Sequence, residues 1–301
     1  MSNELKIGII GLDTSHVTAF TSILNDANHQ YHVPGGKVVA AFPGGSPDFQ
    51  LSISRVEGFT ETLKNTHGVQ IVDSVEQLAE LSDVILLESV DGRVHLEQFA
   101  AIAPLGKPVF IDKPLAVSSA DAQGIADLAA KHGVRVLSSS ALRYAEGLVE
   151  ALKDDANGSV IGADTYGPME IQPTQKGFYW YGIHSVEMLY AAFGKGCESV
   201  TVTTNADYDV IVGRWSDGRL GTVRGNRKGN NKFGMTLHRE KASQFVDIYA
   251  NPKPYYASLL ERIMVMFQGG EPAIDFAETQ ELIRFIEAAN ESRETGETVK
   301  L

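Results

Sequence analysis

The 301-residue chain predicts an α/β protein: a doubly wound parallel sheet, followed by an α+β domain with a mostly antiparallel open sheet. Two patterns carry that reading. Through the first 139 residues, short apolar runs lack in–out alternation, and each leads into a segment with apolar residues at helical spacing. Strands covered on both faces look this way. Beyond residue 139 the runs alternate and are separated by turn signals such as Asp217-Gly218, as in antiparallel strands with one solvated face. The domains are accordingly placed at 1–139 and 140–301. A hydrophobic content of 43% with 21% charged residues suits two packed cores.

Leu5 to Ile10 opens into Gly11 and reads as a buried strand meeting a turn. Asp13 to Asn25 follows as a helix through Val17, Phe20, Ile23 and Leu24. Lys37 to Phe42 is a second strand, stopped by Pro43-Gly44-Gly45, with a helix over 53–65. Ile71-Val72 precedes a helix from Ser74 to Leu81, in which Ser74 is the N-cap and Gln77 holds the capping-box position. A strand over 84–88, a helix over 93–103 and a strand over 108–111 repeat the unit. The helix from Ser119 to Lys131 ends at His132-Gly133, and Val134 to Leu137 is the last strand of the set. In the second half, a helix over 141–153 precedes a strand over 160–166 and a helix over 181–193. Strands are expected at 199–204, 208–215, 220–224, 233–238 and 243–249, with closing helices at 255–267 and 276–291.

A net charge of −12 argues against a nucleic-acid-binding surface, which needs clustered Lys and Arg, while a local phosphate site stays open. The single cysteine, Cys197, permits no intramolecular disulfide, points to a reducing compartment and reads as a buried or half-buried strand residue. Met1 to Lys6 lacks the basic and apolar regions of a signal peptide, and no apolar run approaches the roughly 18 residues of a membrane span. A soluble, cytoplasmic protein with no membrane or nucleic-acid partner is expected.

The first βα turn reads Gly8-Ile9-Ile10-Gly11-Leu12-Asp13-Thr14-Ser15-His16. A dinucleotide fingerprint would place glycines at 11, 13 and 16, for the turn, the pyrophosphate and helix packing, and only Gly11 is present. The fifth strand and its exit, Gly106-Lys107-Pro108-Val109-Phe110-Ile111-Asp112-Lys113-Pro114, are more specific. They set a lysine at the carboxyl end of a parallel strand, where α/β folds bind ligands. Asp91-Gly92-Arg93-Val94-His95 opens the preceding helix, and Tyr181-Gly182-Ile183-His184-Ser185-Val186-Glu187 opens a helix of the second domain. Together with the Gly270-Glu271-Pro272 turn and the Gly296-Glu297-Thr298-Val299 ending, this set resembles the glucose–fructose oxidoreductase / inositol dehydrogenase / rhizopine-catabolism (Gfo/Idh/MocA) family nearly end to end.

The resemblance implies a Rossmann domain and an open-sheet domain that supports homodimers or homotetramers. It also implies a nicotinamide cofactor, NAD or NADP, that oxidises or reduces a sugar, polyol or related hydroxyl. The family's Glu-Lys-Pro lysine maps onto Lys113, with Asp112 in the Glu position, and its Gly-x-His histidine maps onto His184. The Asp four residues before that histidine is Trp180 here. Lys113 and His184 are the expected catalytic pair, with Lys113 as polarising cation and His184 as general base, acting on a substrate held between the domains. Glu187, three residues on, can orient or charge His184.

Cofactor contacts are expected from Gly11, Asp13, Thr14, Ser15, His16, Ser46, Asp91, His95 and Lys113. An Asp13 carboxylate about 4 Å from a phosphate would oppose binding by about 4 kcal/mol at an effective dielectric of ~20. Turned inward, it would instead cap the helix by accepting the Ser15 or His16 N–H and leave the helix N-terminus free for an anion. The second strand ends without an acidic residue for a ribose 2′-hydroxyl, and Gly45, Ser46 and Arg55 tolerate a 2′-phosphate. Tyr179, Trp180 and Tyr181, with Glu187, are substrate candidates, and the three aromatics equally suit core packing. His16 and Asp13, joined by His184 or Glu187, are an alternative metal set of undiagnostic spacing, and no metal site is expected.

Overall fold

The computed structural model describes residues 4–301, which fall into two compact units. The first comprises the chain up to Ala116, Ala120–Ser139 and Tyr256–Phe276. The second comprises Val117–Ser119, Ser140–Tyr255 and Ala277–Leu301.

The first unit is built on strands β1 (Leu5–Ile10), β2 (Gly36–Phe42), β3 (Gln70–Ile71), β4 (Val84–Leu87), β5 (Val109–Ile111) and β6 (Val136–Ser138). They form one parallel sheet in the order β3-β2-β1-β4-β5-β6. The order reverses between β1 and β4, the switch point at which doubly wound sheets open a ligand crevice. All four residues of β4 and the last four of β1 are buried, which accounts for their continuous apolar runs. The connecting helices are α1 (His16–Asn25), α2 (Gln50–His67), α3 (Val75–Leu81), α4 (His95–Ile102) and α5 (Ser119–His132). Ser74 caps α3 by accepting the Gln77 N–H at 3.2 Å. Helix α1 begins three residues later than its apolar periodicity suggests, because the Leu12 N–H is spent on the Pro43 carbonyl (2.7 Å) and Asp13 turns into the interior. Gly11 makes that turn at φ +88°, with its α-carbon so close to Ser89 that an added β-carbon would lie 2.4 Å from the Ser89 amide nitrogen.

One assignment is corrected. Helix α8 (Tyr255–Phe267), expected in the second domain, belongs to the first unit from Tyr256 onward. Its apolar residues need a surface of their own, and sequence position does not say which one. Tyr256 meets the rings of His16 and Phe20 edge-on (4.9 and 5.6 Å), Met264 reaches Gly36, and Arg135 donates to the Gly270 carbonyl.

In the second unit, β7 (Val160–Pro168), β8 (Cys197–Thr204), β9 (Tyr208–Trp215), β10 (Leu220–Asn226), β11 (Gly234–Arg239), β12 (Ser243–Val246) and β13 (Val299–Lys300) form a sheet in the order β12-β11-β7-β10-β9-β8-β13. Its pairs are antiparallel except β7 with β10. Helices α6 (Glu146–Lys153), α7 (Gly182–Phe193) and α9 (Phe276–Thr295) complete the unit. The helix expected over 141–153 is two pieces, a 3-10 turn over Ala141–Tyr144 and then α6, because Ala145 leaves helical backbone. The core gathers Tyr190, Phe193, Trp215 and Phe285, and the Trp215 indole donates to the Gly194 carbonyl at 2.9 Å. Gly213 lets α9 approach, since a β-carbon there would stand 2.7 Å from the Phe285 ring. Among the described residues no helix is long and apolar enough to cross a membrane.

Gly11→Ala should lower stability by about 2 kcal/mol or more, from the left-handed backbone and the Ser89 clash together, read as a lower urea midpoint with unchanged slope. Cys197, buried at the start of β8, has its thiol pushed up to about 12 by burial and by Glu281 nearby. An acid whose pKa is raised on folding keeps its proton while the unfolded thiol ionises, so this group withdraws stability as pH rises from about 9 toward 12. Iodoacetamide at pH 9 should therefore label urea-unfolded chain readily and native chain hardly at all.

Candidate active site

Register assembles the first cluster. Ile10 of β1 pairs with Leu87 of β4, and Leu87 pairs with Ile111 of β5. The next residues on the three adjacent strands, Gly11, Glu88 and Asp112, thus leave the sheet side by side at its carboxyl edge. His16 returns from the start of α1 to place Nδ1 3.0 Å from Asp112 Oδ2 and 3.5 Å from Glu88 Oε2. Its ring is stacked on Phe20 at 5.4 Å and held edge-on by Tyr256. Glu88 is 0% exposed and Asp112 1%.

Burial opposes a charged His16, but Asp112 and Glu88 outweigh it and raise the imidazole to about 9. Burial and the neighbouring Asp112 push Glu88 up, while His16 and Lys113 hold Asp112 below the usual carboxylate range despite its burial. Lys113, 9% exposed, follows Asp112 at the end of β5 and acts electrostatically on both acids.

Asp13 is buried, as an inward turn requires, but it is not the helix cap. Its carboxylate accepts the Val90 N–H (2.9 Å) and the Ser52 hydroxyl (2.5 Å), while Ser15 sits at the N-cap without a side-chain cap bond. Burial pushes the Asp13 carboxyl up and these two bonds pull it back. Ser46 is buried, with its N–H on Ser52 Oγ. Thr14 is buried and Ser15 exposed. His95 is a strut: fully buried, it sets Nε2 against the Ser89 carbonyl (2.7 Å) and Nδ1 against those of Pro114 and Leu115, joining the loops after β4 and β5. Asp91 is also fully buried and bound by Arg93, which pairs through both terminal nitrogens with Asp48 beyond β2. Neither His95 nor Asp91 presents a free edge to a cofactor.

The second unit holds the remaining candidates. His184 lies in the first turn of α7, half-buried, with Nδ1 2.7 Å from the hydroxyl of the buried Ser140. Glu187 is buried too and binds Arg143 (2.5 Å), whose other arm reaches Glu278. It also accepts the Ser140 N–H at 3.4 Å. Ser140 thus carries the hydrogen bond at His184, and Glu187 anchors the Ser140 segment. Tyr179 is core, its hydroxyl on the Ile283 carbonyl, whereas Tyr181 meets both Trp180 and His184 edge-on.

Sequence reasoning missed Glu88 and Ser140 as site residues, and it named Asp112 only as a neighbour of Lys113. The signal for Glu88 was present: an acid closing a fully apolar strand, beside a second strand that closes the same way.

Residues 5–140 match the family described as an oxidoreductase family with an NAD-binding Rossmann fold, Gfo/Idh/MocA. The chain is 30% identical over 164 residues to inositol 2-dehydrogenase of Klebsiella pneumoniae, and 24% identical over 159 residues to an uncharacterised oxidoreductase of Streptococcus pneumoniae. These stretches cover 53% and 48% of this chain and 43% of each relative, so under half of either relative's length is matched. The whole fold recurs in apo scyllo-inositol dehydrogenase of Lactobacillus casei (TM-score 0.80, 14% identity, 100% of this chain and 99% of that one). It recurs also in the myo-inositol dehydrogenase of that organism in complex with NAD(H) and myo-inositol (0.77, 16%, 99% and 96%). The match lies in the Rossmann domain, which is similar to that of the NAD-binding Gfo/Idh/MocA oxidoreductases.

Asp13→Ala would strip the acceptor from a buried N–H and a hydroxyl, and should destabilise the protein by about 2–3 kcal/mol in chemical denaturation. A loss under about 0.5 kcal/mol would show that the Asp13 bonds do not hold these loops.

Proposed function

We propose that the protein is an NAD(P)-dependent oxidoreductase acting in the cytoplasm on a hydroxyl carbon of a sugar, polyol or related small molecule. The observation that carries this reading is Lys113. It is a nearly buried ammonium at the carboxyl end of β5, directly before Pro114, in a family-matched NAD-binding domain. The inositol dehydrogenases among its relatives and fold neighbours support a polyol-like substrate.

The first domain fits a dinucleotide at one point that can be checked residue by residue. Helix α1 has no acidic residue in its first turn, Ser15 makes no side-chain cap bond, and the Asp13 carboxylate is turned away into bonds with Val90 and Ser52, while those of Glu88 and Asp112 face the His16 ring. The backbone at Thr14 and Ser15, with the exposed Ser15 side chain, would hold the pyrophosphate at a helix N-terminus, and Gly11, whose N–H donates to the Phe42 carbonyl at 3.0 Å, makes the turn that leads there. The loop after β2 offers Ser46 and no acid at the ribose position, which leaves NAD and NADP both open. When bound, the nicotinamide supplies the hydride acceptor or donor.

Lys113 polarises the substrate oxygen by donating a hydrogen bond, a role that needs no deprotonated amine. His184 takes or returns the hydroxyl proton, its ring fixed by Ser140 and by the flanking Tyr181 and Phe233 rings. Assembly as a homodimer or homotetramer belongs to the same reading and is checked by native mass measurement.

Calorimetric titration with NAD and NADP, followed by turnover on a panel of inositols, sugars and sugar acids, tests the proposal. Binding of neither nucleotide would end it. Lys113→Ala and His184→Ala should each lower kcat/KM by about 10² or more with nucleotide affinity little changed.

A further inference from the structure

Four buried polar atoms at the edge of the first sheet converge without completing a hydrogen bond among themselves: Nδ1 of His16, both carboxylate oxygens of Glu88, and Oδ2 of Asp112. The 3.0 Å between His16 Nδ1 and Asp112 Oδ2 is hydrogen-bond length, yet the pair lacks hydrogen-bond alignment. The three candidate ligand atoms lie within 4.8 Å of one another. A carboxylate with 0% exposure and no hydrogen bond on either oxygen is costly to bury, and a metal ion that displaces the His16 proton would complete its surroundings.

We infer that His16, Glu88 and Asp112 form a mononuclear site for a divalent transition-metal ion of the Zn²⁺ or Mn²⁺ class at the carboxyl edge of the first sheet. This inference does not rest on the nucleotide reading above.

The geometry suits three ligands on one ion. Donors about 2.1 Å from a metal stand about 3.0 Å apart at a right angle and about 3.4 Å apart at the tetrahedral angle. The observed separations from Nδ1 are 3.0 and 3.5 Å, and the three ligand atoms lie within 4.8 Å of one another. Any pair wider than the about 4.2 Å of opposed ligands closes with a small rotation of the Glu88 carboxylate. One imidazole and two carboxylates select a borderline ion over Mg²⁺ or Ca²⁺, which prefer oxygen alone. Metal binding displaces the His16 proton, and the neutral ring with two carboxylates then carries a charge of −2, which a divalent ion cancels. Lys113, the other cation acting on both acids, offsets part of that charge.

Each ligand stands on a rigid base. Glu88 and Asp112 donate their backbone N–H groups to Ile10 and Leu87, which keeps them in the strand ladder, and the His16 ring is clamped between Phe20 and Tyr256. Three protein ligands leave positions for water or an oxygen-bearing small molecule, as in metal sites that act on a ligand rather than merely brace a fold.

Full-length protein stripped with EDTA and titrated with Zn²⁺ and, separately, Mn²⁺, without nucleotide, should bind one ion per chain with micromolar or tighter Kd. Glu88→Gln and Asp112→Asn, near-isosteric changes that leave all eight histidines in place, should each weaken binding at least tenfold. Should either variant fail to fold by circular dichroism, the Mn²⁺-loaded wild-type chain decides by electron spin echo modulation. A single imidazole nitrogen, lost in His16→Gln, supports the site. Absence of saturable one-to-one binding, variants that bind as tightly as wild type, or a spectrum without imidazole coupling would each overturn it.

Discussion

Four loops meet at the carboxyl edge of the first sheet, and their mutual fixing depends on one buried carboxylate. Asp13, in the loop after β1, accepts from Val90 in the loop after β4 and from Ser52 in α2, beyond β2. Ser52 in turn accepts the Ser46 N–H, and His95 carries the connection on to the Pro114 carbonyl after β5. A buried acceptor of this kind is demanding because each bond it makes replaces water it has lost. Only with that lattice in place does α1 start where it does, and only then does His16 face Glu88 and Asp112.

The charges at this edge are arranged by the same constraint. Two acids from neighbouring parallel strands are forced together by register, at a depth where water does not screen them. Their repulsion and burial push Glu88 up, and the cationic neighbours His16 and Lys113 keep Asp112 ionised. Perturbed acids and bases grouped at the switch point of a doubly wound sheet are what a site for chemistry requires. The fold supplies the location, and the departures from the glycine fingerprint, Asp13 and His16, supply its particular character.

The second unit follows a different logic. Its sheet is covered by helices that glycines admit closely, and its aromatic core is assembled from Tyr190 and Phe193 on α7, Trp215 on β9 and Phe285 on α9. Against this packed background His184 keeps one face open to aromatic edges and one nitrogen on Ser140. Arg143 draws Glu187 and Glu278 together, so the segment that holds Ser140 is tied to two helices.

The sequence by itself determined the element order and the class of both sheets, and it marked Lys113 and His184 as candidates. Periodicity and turn chemistry act over neighbouring residues, and a lysine closing an apolar strand before proline is legible at that range. Strand β13 was not legible, being two residues that gain strand character only by pairing with β8. Nor was the return of α8 to the first unit, since an apolar helix does not encode which surface it covers. The tertiary structure alone decided where Asp13 points, made Glu88 and Asp112 neighbours 24 positions apart in the chain, and set the Ser140 hydroxyl against His184. Each of these depends on strand register or on a loop held by a distant acceptor, contacts whose energy is absent until the whole sheet has formed.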